Sequence, residues 1–132
     1  MTVRFAQWTV DVRDTDRMVD FWSQALGYHH VDRGEDGSAK LLPSSDAPPE
    51  VPTLWLQKTG EPKHGKNHNH LDLRPVDGDV DREVERLVAL GARHVDIGQT
   101  GTESFVVLAD PEGNEFCVLR SEPRRALGSP RP

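Results

Sequence analysis

Cysteine is nearly absent from this chain: Cys117 is the only one among 132 residues. No intrachain disulfide can form, and a reducing cytoplasm is the expected setting. Long apolar runs are missing as well. No stretch of 18 apolar residues occurs, and Met1-Thr2-Val3-Arg4 leads straight into a strand pattern, so neither a membrane span nor a signal peptide is expected. Basic residues do not cluster outside Arg124-Arg125, and the formal net charge is −6. That balance argues against nucleic acid or an anionic membrane as partner. With 35% apolar and 29% charged residues, the composition is that of a soluble globular protein with a highly charged surface. A chain of this length buries roughly two thirds of its unfolded surface, enough for a core without disulfide or metal staples.

What the chain does have is an internal echo. In Asn67-His68-Asn69-His70-Leu71-Asp72-Leu73-Arg74, apolar Leu71 and Leu73 alternate with His70, Asp72 and Arg74. The segment Gln7-Trp8-Thr9-Val10-Asp11-Val12, 63 residues earlier, alternates in the same way. Downstream, Leu26-Gly27 matches Leu90-Gly91, and His30-Val31-Asp32-x-Gly34 matches His94-Val95-Asp96-x-Gly98, both at an offset of 64. Two matched blocks in the same order, at nearly one offset, imply a duplicated unit.

Each unit reads β-α-β-β-β. The first has strands near 3–12, 28–33, 38–42 and 53–58, with a helix at 15–26 whose apolar stripe is Met18, Phe21, Trp22, Ala25 and Leu26. Asp14 or Thr15 can cap it, and Gly27 stands where it stops. Asp36-Gly37 signals a hairpin, and the proline-rich stretch 43–52 a loop. The second unit has strands near 68–74, 92–97, 103–109 and 114–120 and a helix at 80–90, capped by Asp77 or Asp79, with the stripe Val80, Val84, Leu87 and Val88. Asp110-Pro111-Glu112-Gly113 is a type I turn pattern. The expected organisation is an α+β domain over residues 1–122. Module one is 3–58, the linker 59–66, module two 67–120, and 123–132 a mobile tail.

Alternation also sorts the strand faces. Trp8, Val10, Val12, Leu71, Leu73, Phe116 and Val118 should meet the helices. Gln7, Thr9, Asp11, His70, Asp72, Arg74, Glu115 and Cys117 should face the other way, where two curved sheets could enclose a wet cavity. His70 is the candidate acid–base catalyst, because an ordinary imidazole pKa of about 6.5 suits proton transfer. Asp72 and Arg74 could orient a polar ligand or pair with each other. Cys117 would need a neighbouring base to act as a nucleophile, and a buried inert thiol is the favoured reading.

Asp14 leading into Phe21-Trp22-x3-Leu26-Gly27-Tyr28, and Asp110-Pro111-Glu112-Gly113-Asn114-Glu115-Phe116, resemble the vicinal oxygen chelate superfamily. Glyoxalase I, extradiol dioxygenases, and fosfomycin- and bleomycin-resistance proteins belong to it. Asn67-x2-His70-Leu71-Asp72-Leu73 and Leu87-Val88-Ala89-Leu90-Gly91-Ala92 are most similar to its glyoxalase-like branch. The resemblance covers about residues 3–120. It implies tandem βαβββ modules forming a cup-shaped mixed sheet with the helices outside. It also implies a small-molecule ligand or substrate, and is compatible with a homodimer.

The resemblance further implies metal positions on the first and last strand of each module. Counting from Asp14 and Asp77 places the first-strand pair at Gln7 and His70, the two candidate metal ligands. Counting from Asp110 places the last-strand position at Cys117, and its counterpart in module one falls on Trp55 or Gln57. Neither last-strand position carries a carboxylate, and a hard divalent ion wants oxygen donors and anionic charge. Cys117 could serve zinc as a thiolate, and Asp11 or Asp72 could substitute for a missing carboxylate. The favoured expectation is a small polar or aromatic molecule bound between the modules without metal. Gln7, Asp11, Trp55, Gln57, His70, Asp72, Arg74 and Cys117 would contact it. The alternative is a divalent-metal-dependent lyase, isomerase or dioxygenase of the same superfamily.

Overall fold

The computed structural model of the chain describes residues 2–96, 98–101, 103–120 and 122. Module one runs β1 (Gln7–Val12), α1 (Thr15–Leu26), β2 (His30–Arg33), β3 (Ala39–Leu42) and β4 (Thr53–Lys58). Module two runs β5 (Leu71–Leu73), α2 (Val80–Leu90), β6 (Arg93–His94), β7 (Phe105–Ala109) and β8 (Glu115–Leu119). The sheets have the strand orders β1-β4-β3-β2 and β5-β8-β7-β6, so the same mixed topology occurs twice. The first strand pairs parallel with the last, and the other pairs are antiparallel. This is the duplicated α+β architecture expected from the sequence.

Both helices begin on an aspartate. The Asp14 carboxylate accepts from the Arg17 N–H and that of Asp79 from the Arg82 N–H, each satisfying a donor that the first turn leaves open. Asp79 is therefore the cap of α2, while Asp77 accepts from the Asp79 N–H in the preceding turn. Gly27 ends α1 in the left-handed conformation, at φ 71°, where a side chain would be strained. Met18, Phe21 and Trp22 are buried on α1, and Val80, Val84 and Leu87 on α2. Val88 departs from the expected stripe. It is 39% exposed, because it lies on the flank of α2 one residue round from the buried Leu87.

Contacts of three kinds among the described residues join the modules. Phe21 and Trp22 of α1 pack edge-on or tilted against Phe116 of β8, with centroids 6.3 and 5.1 Å away. The Asp110–Gly113 turn reaches back to module one: the Glu112 carboxylate accepts from the Arg13 and Asp14 N–H groups, and buried Asp110 accepts from Trp22 Nε1 at 3.1 Å. On α2, Arg86 donates to the Gln24 and Ala25 carbonyls, satisfying acceptors left open at the C-terminus of α1. The core is consequently continuous from Leu41 and Leu56 of module one to Leu108 and Phe116 of module two.

Several strands are shorter than their sequence pattern. β5 covers Leu71–Leu73 rather than 68–74, because the parallel ladder to β8 is only three residues long. β1 starts at Gln7 and β6 ends at His94. The expected tail at 123–132 lies outside the described residues. No helix among the described residues is long and apolar enough to cross a membrane.

Candidate functional site

The parallel ladders set the site. In module one Thr9 stands opposite Trp55 and Asp11 opposite Gln57; in module two Asp72 stands opposite Cys117. His70 immediately precedes β5, on the same side as Asp72 two residues later. Its Nε2 lies 3.2 Å from Asp72 Oδ1. The carboxylate thus orients the imidazole and favours the tautomer with its proton on Nε2.

His70, Asp72 and Cys117 form one cluster, with an Nδ1 or Nε2, a carboxylate oxygen and Sγ all within 4.8 Å of one another. His70 and Asp72 are exposed, whereas Cys117 is 6% exposed. Burial pushes the Cys117 thiol up to about 11, helped by the adjacent charge of Asp72 and a hydrogen bond to it. At neutral pH the thiol therefore keeps its proton, and it is a poor nucleophile.

The cluster opens onto a hollow of about 310 Å³ on the helix-free face of module two. Phe105, Val107 and Leu119 form its apolar wall, and Lys66, Asn67, His70, Asp72, Glu115 and Cys117 its polar edge. Phe105 and Val107 on β7 and Leu119 on β8 were not among the expected site residues. Alternation gave their signal, since Leu119 shares a strand face with Cys117 and Val107 is its cross-strand partner.

A second, larger cleft of about 600 Å³ lies between the modules. Gln7, Thr9 and Asp11 line it from β1, His70 and Leu71 from module two, and residues 61–64 and 66–69 across one side. His64 and His68 are exposed and line this cleft. The linker is anchored there by Glu115, whose carboxylate lies 3.1 Å from Lys63 Nζ with both side chains under a fifth exposed. Burial pushes Glu115 up. Its bonds from Lys63 and from the Asn67 N–H outweigh that, so it titrates below the ordinary carboxylate range. Lys63, folded over from the linker, covers it at the start of β8.

The expected ligand residues therefore divide. His70, Asp72 and Cys117 come together around the hollow, and Gln7, Asp11 and His70 share the inter-module cleft. Trp55 and Gln57 line neither space; the ammonium of Lys40 sits 5.6 Å over the Trp55 ring. Arg74 is also elsewhere. β5 ends at Leu73, a turn closes from Pro75 to Gly78, and Arg74 lines a groove with Tyr28, Glu83 and Arg86 beside the helices.

The metal positions implied by the superfamily can be judged by their donors. Gln7 offers a carboxamide whose oxygen accepts from Thr53 Oγ1 at 3.3 Å, Trp55 offers no donor, and Cys117 holds a protonated thiol. That set lacks the several oxygen donors that a hard divalent ion requires, and does not fit it.

A family model described as a glyoxalase-like domain matches residues 7–119. The chain belongs to that family. With it comes membership of the vicinal oxygen chelate superfamily, and the paired modules are its fold. Solved structures agree on the fold. A fosfomycin resistance protein from Listeria monocytogenes, complexed with Mn(II) and a dihydroxypropylphosphonic acid, is 15% identical with a TM-score of 0.71, covering 92% of this chain and 93% of its own. A fosfomycin resistance protein from Mesorhizobium loti is 18% identical with a TM-score of 0.68, covering 92% and 95%. A glyoxalase/bleomycin resistance protein/dioxygenase family enzyme from Burkholderia phytofirmans is 18% identical with a TM-score of 0.66, covering 88% and 97%. No curated protein matches this glyoxalase-like chain in sequence.

Proposed function

We propose that this glyoxalase-like protein binds a small molecule with an apolar or aromatic body and a polar end in the hollow of module two, without a hard divalent ion. One observation carries the reading: an apolar wall of Phe105, Val107 and Leu119 faces the hydrogen-bonding pair His70 and Asp72 across one small cavity. Cavities of roughly 300 Å³ and above, mostly apolar with a few convergent polar groups, are the usual form of ligand sites. The walls would bury the body, and His70 and Asp72 would fix the polar end. A reducing cytoplasm suits the protein, whose cysteine is a free buried thiol.

The His70–Asp72 pair also favours a second reading, acid–base catalysis on the bound molecule. A carboxylate-oriented imidazole can take a proton from a bound molecule on its free nitrogen, with Asp72 holding the ring in place. In this reading His70 is the catalytic residue and Asp72 positions it.

Thermal-shift titration of chelator-treated protein against a panel of small aromatic acids, alcohols and amines tests the proposal. A molecule present at 100 times its Kd stabilises the native state by about 2.7 kcal/mol. The expected result is a saturable rise in Tm that is lost in Val107→Asp and reduced in His70→Ala. A stabilisation indifferent to both variants, or none from any member of the panel, would refute a site in this hollow.

A further inference from the structure

We propose that Arg13, Arg17 and Lys58 bind the phosphate group of a small phosphate monoester, in a groove of about 630 Å³ where module one meets the Asp110–Gly113 turn. The site goes beyond the ligand reading, because it shares no lining residue with the hollow of module two.

The fold assembles what the sequence keeps apart. The residue after β1, the first turn of α1, the end of β4 and the linker bring Arg13, Arg17, Lys58 and Lys63 to one groove. Lys58 stands opposite Val12 in the parallel β1–β4 pair, and its ammonium donates to the carbonyl of the next residue, Arg13.

Positive charge is left over there. The groove also holds two carboxylates, Asp14 and Glu112, but both are committed to backbone donors. Asp14 accepts from the Arg17 N–H as the cap of α1, and Glu112 from the Arg13 and Asp14 N–H groups. Lys63 is matched by Glu115. The guanidinium groups of Arg13 and Arg17 form no hydrogen bond or ion pair among the described residues. The duplication supplies the contrast. On α2, Arg82 follows its capping aspartate by three residues, as Arg17 does on α1, and pairs with that Asp79 at 3.6 Å. Arg17 instead lines the groove.

Donor geometry selects the occupant. Each guanidinium presents a planar fork of N–H donors suited to two oxygens, and Lys58 has donors beyond the one used on Arg13. A phosphate monoester brings three acceptor oxygens and about −1.5 to −2 charge at neutral pH, whereas a carboxylate brings two oxygens and one charge. The rest of the molecule has room along the inter-module cleft, which shares Thr59 and Pro62 with the groove.

Calorimetric titration of the full chain with glycerol phosphate at low ionic strength tests the site, with glycerate as the monoanion control. The expected result is one saturable equivalent of glycerol phosphate, weakened by salt, and at least tenfold weaker binding of glycerate. Arg13→Gln and Arg17→Gln should each weaken glycerol phosphate binding at least tenfold. Arg82→Gln, the same charge change at the matching place on α2, should leave it unchanged. Arg13 and Arg17 are exposed, so circular dichroism should show both variants folded. No binding, glycerate bound as tightly, or an equal loss in Arg82→Gln would overturn the site. So would a phosphoserine peptide that binds tenfold more tightly than glycerol phosphate, since the occupant would then be a phosphorylated protein.

Discussion

Replacing Trp22 by Phe probes the joint between the modules. Trp22 is 2% exposed, packs edge-on against Phe21 and Phe116, and donates Nε1–H to Asp110, which is fully buried. Phenylalanine keeps an aromatic ring but removes the donor. A hydrogen bond to a charged group contributes about 1.5–3 kcal/mol. The smaller ring leaves a void of about 40 Å³, which at roughly 24 cal/mol per Å³ costs about 1 kcal/mol. The expected loss is therefore about 2.5–4 kcal/mol, a large share of the stability of an ordinary domain.

The comparison that isolates the hydrogen bond uses an Asp110→Ala background. There the donor has no carboxylate to meet, so Trp22→Phe should cost only about 1 kcal/mol, a coupling of about 1.5–3 kcal/mol. Urea unfolding followed by far-ultraviolet circular dichroism measures all four proteins. An equal cost in both backgrounds would refute the argument.

The same bond has a pH signature. Burial pushes Asp110 above its ordinary 3.8, opposed by hydrogen bonds from Asn114, Trp22 and the Glu112 N–H. A carboxylate with a raised folded-state pKa makes stability fall as pH rises from 3.8 through the folded value. The Trp22 bond favours the ionised form, so the cost of Trp22→Phe should shrink as the solution is acidified.

Three further outcomes follow from the site and the linker. Alkylation of Cys117 by iodoacetamide in chelated protein should be slow at neutral pH and climb with pH toward about 11; Asp72→Asn removes a neighbouring charge and should shift that profile down. A thiol that reacts like free cysteine at neutral pH would contradict its burial. Glu115 titrates below its ordinary 4.5, so its pairing with Lys63 stabilises the fold above that pH and is lost as pH falls through the lowered value. Glu115→Gln should flatten that part of the acid unfolding curve and speed proteolysis between residues 59 and 69, and unchanged cleavage would mean the linker is held otherwise. Arg86→Met should destabilise by roughly 0.5–1.5 kcal/mol by removing the donor to the exposed Gln24 and Ala25 carbonyls, as read in the same urea unfolding assay.

The helices at 15–26 and 80–90 and the strand at 53–58 were legible to the residue, because helical period, aspartate caps and terminal glycines act within a few positions of one another. The duplicated topology was legible too, from the offsets of 63 and 64. The short strands were overestimated, because a ladder's length depends on its partner: β5 stops where β8 stops pairing with it. For the same reason Arg74, in alternation with His70 and Asp72, does not join them.

The candidate site is partly a sequence property. His70 and Asp72 share a strand face by alternation alone. That Cys117, 45 residues from Asp72, stands directly opposite it was decided by the register of the parallel pair. Tertiary structure also chose the partners of Asp110 and Glu115, since the donors Trp22 and Lys63 lie 88 and 52 residues away. Local chemistry fixes which residues form helices and caps. Which buried carboxylate meets which donor is settled only when two modules close on one core, where a buried charge left without a partner costs too much to persist.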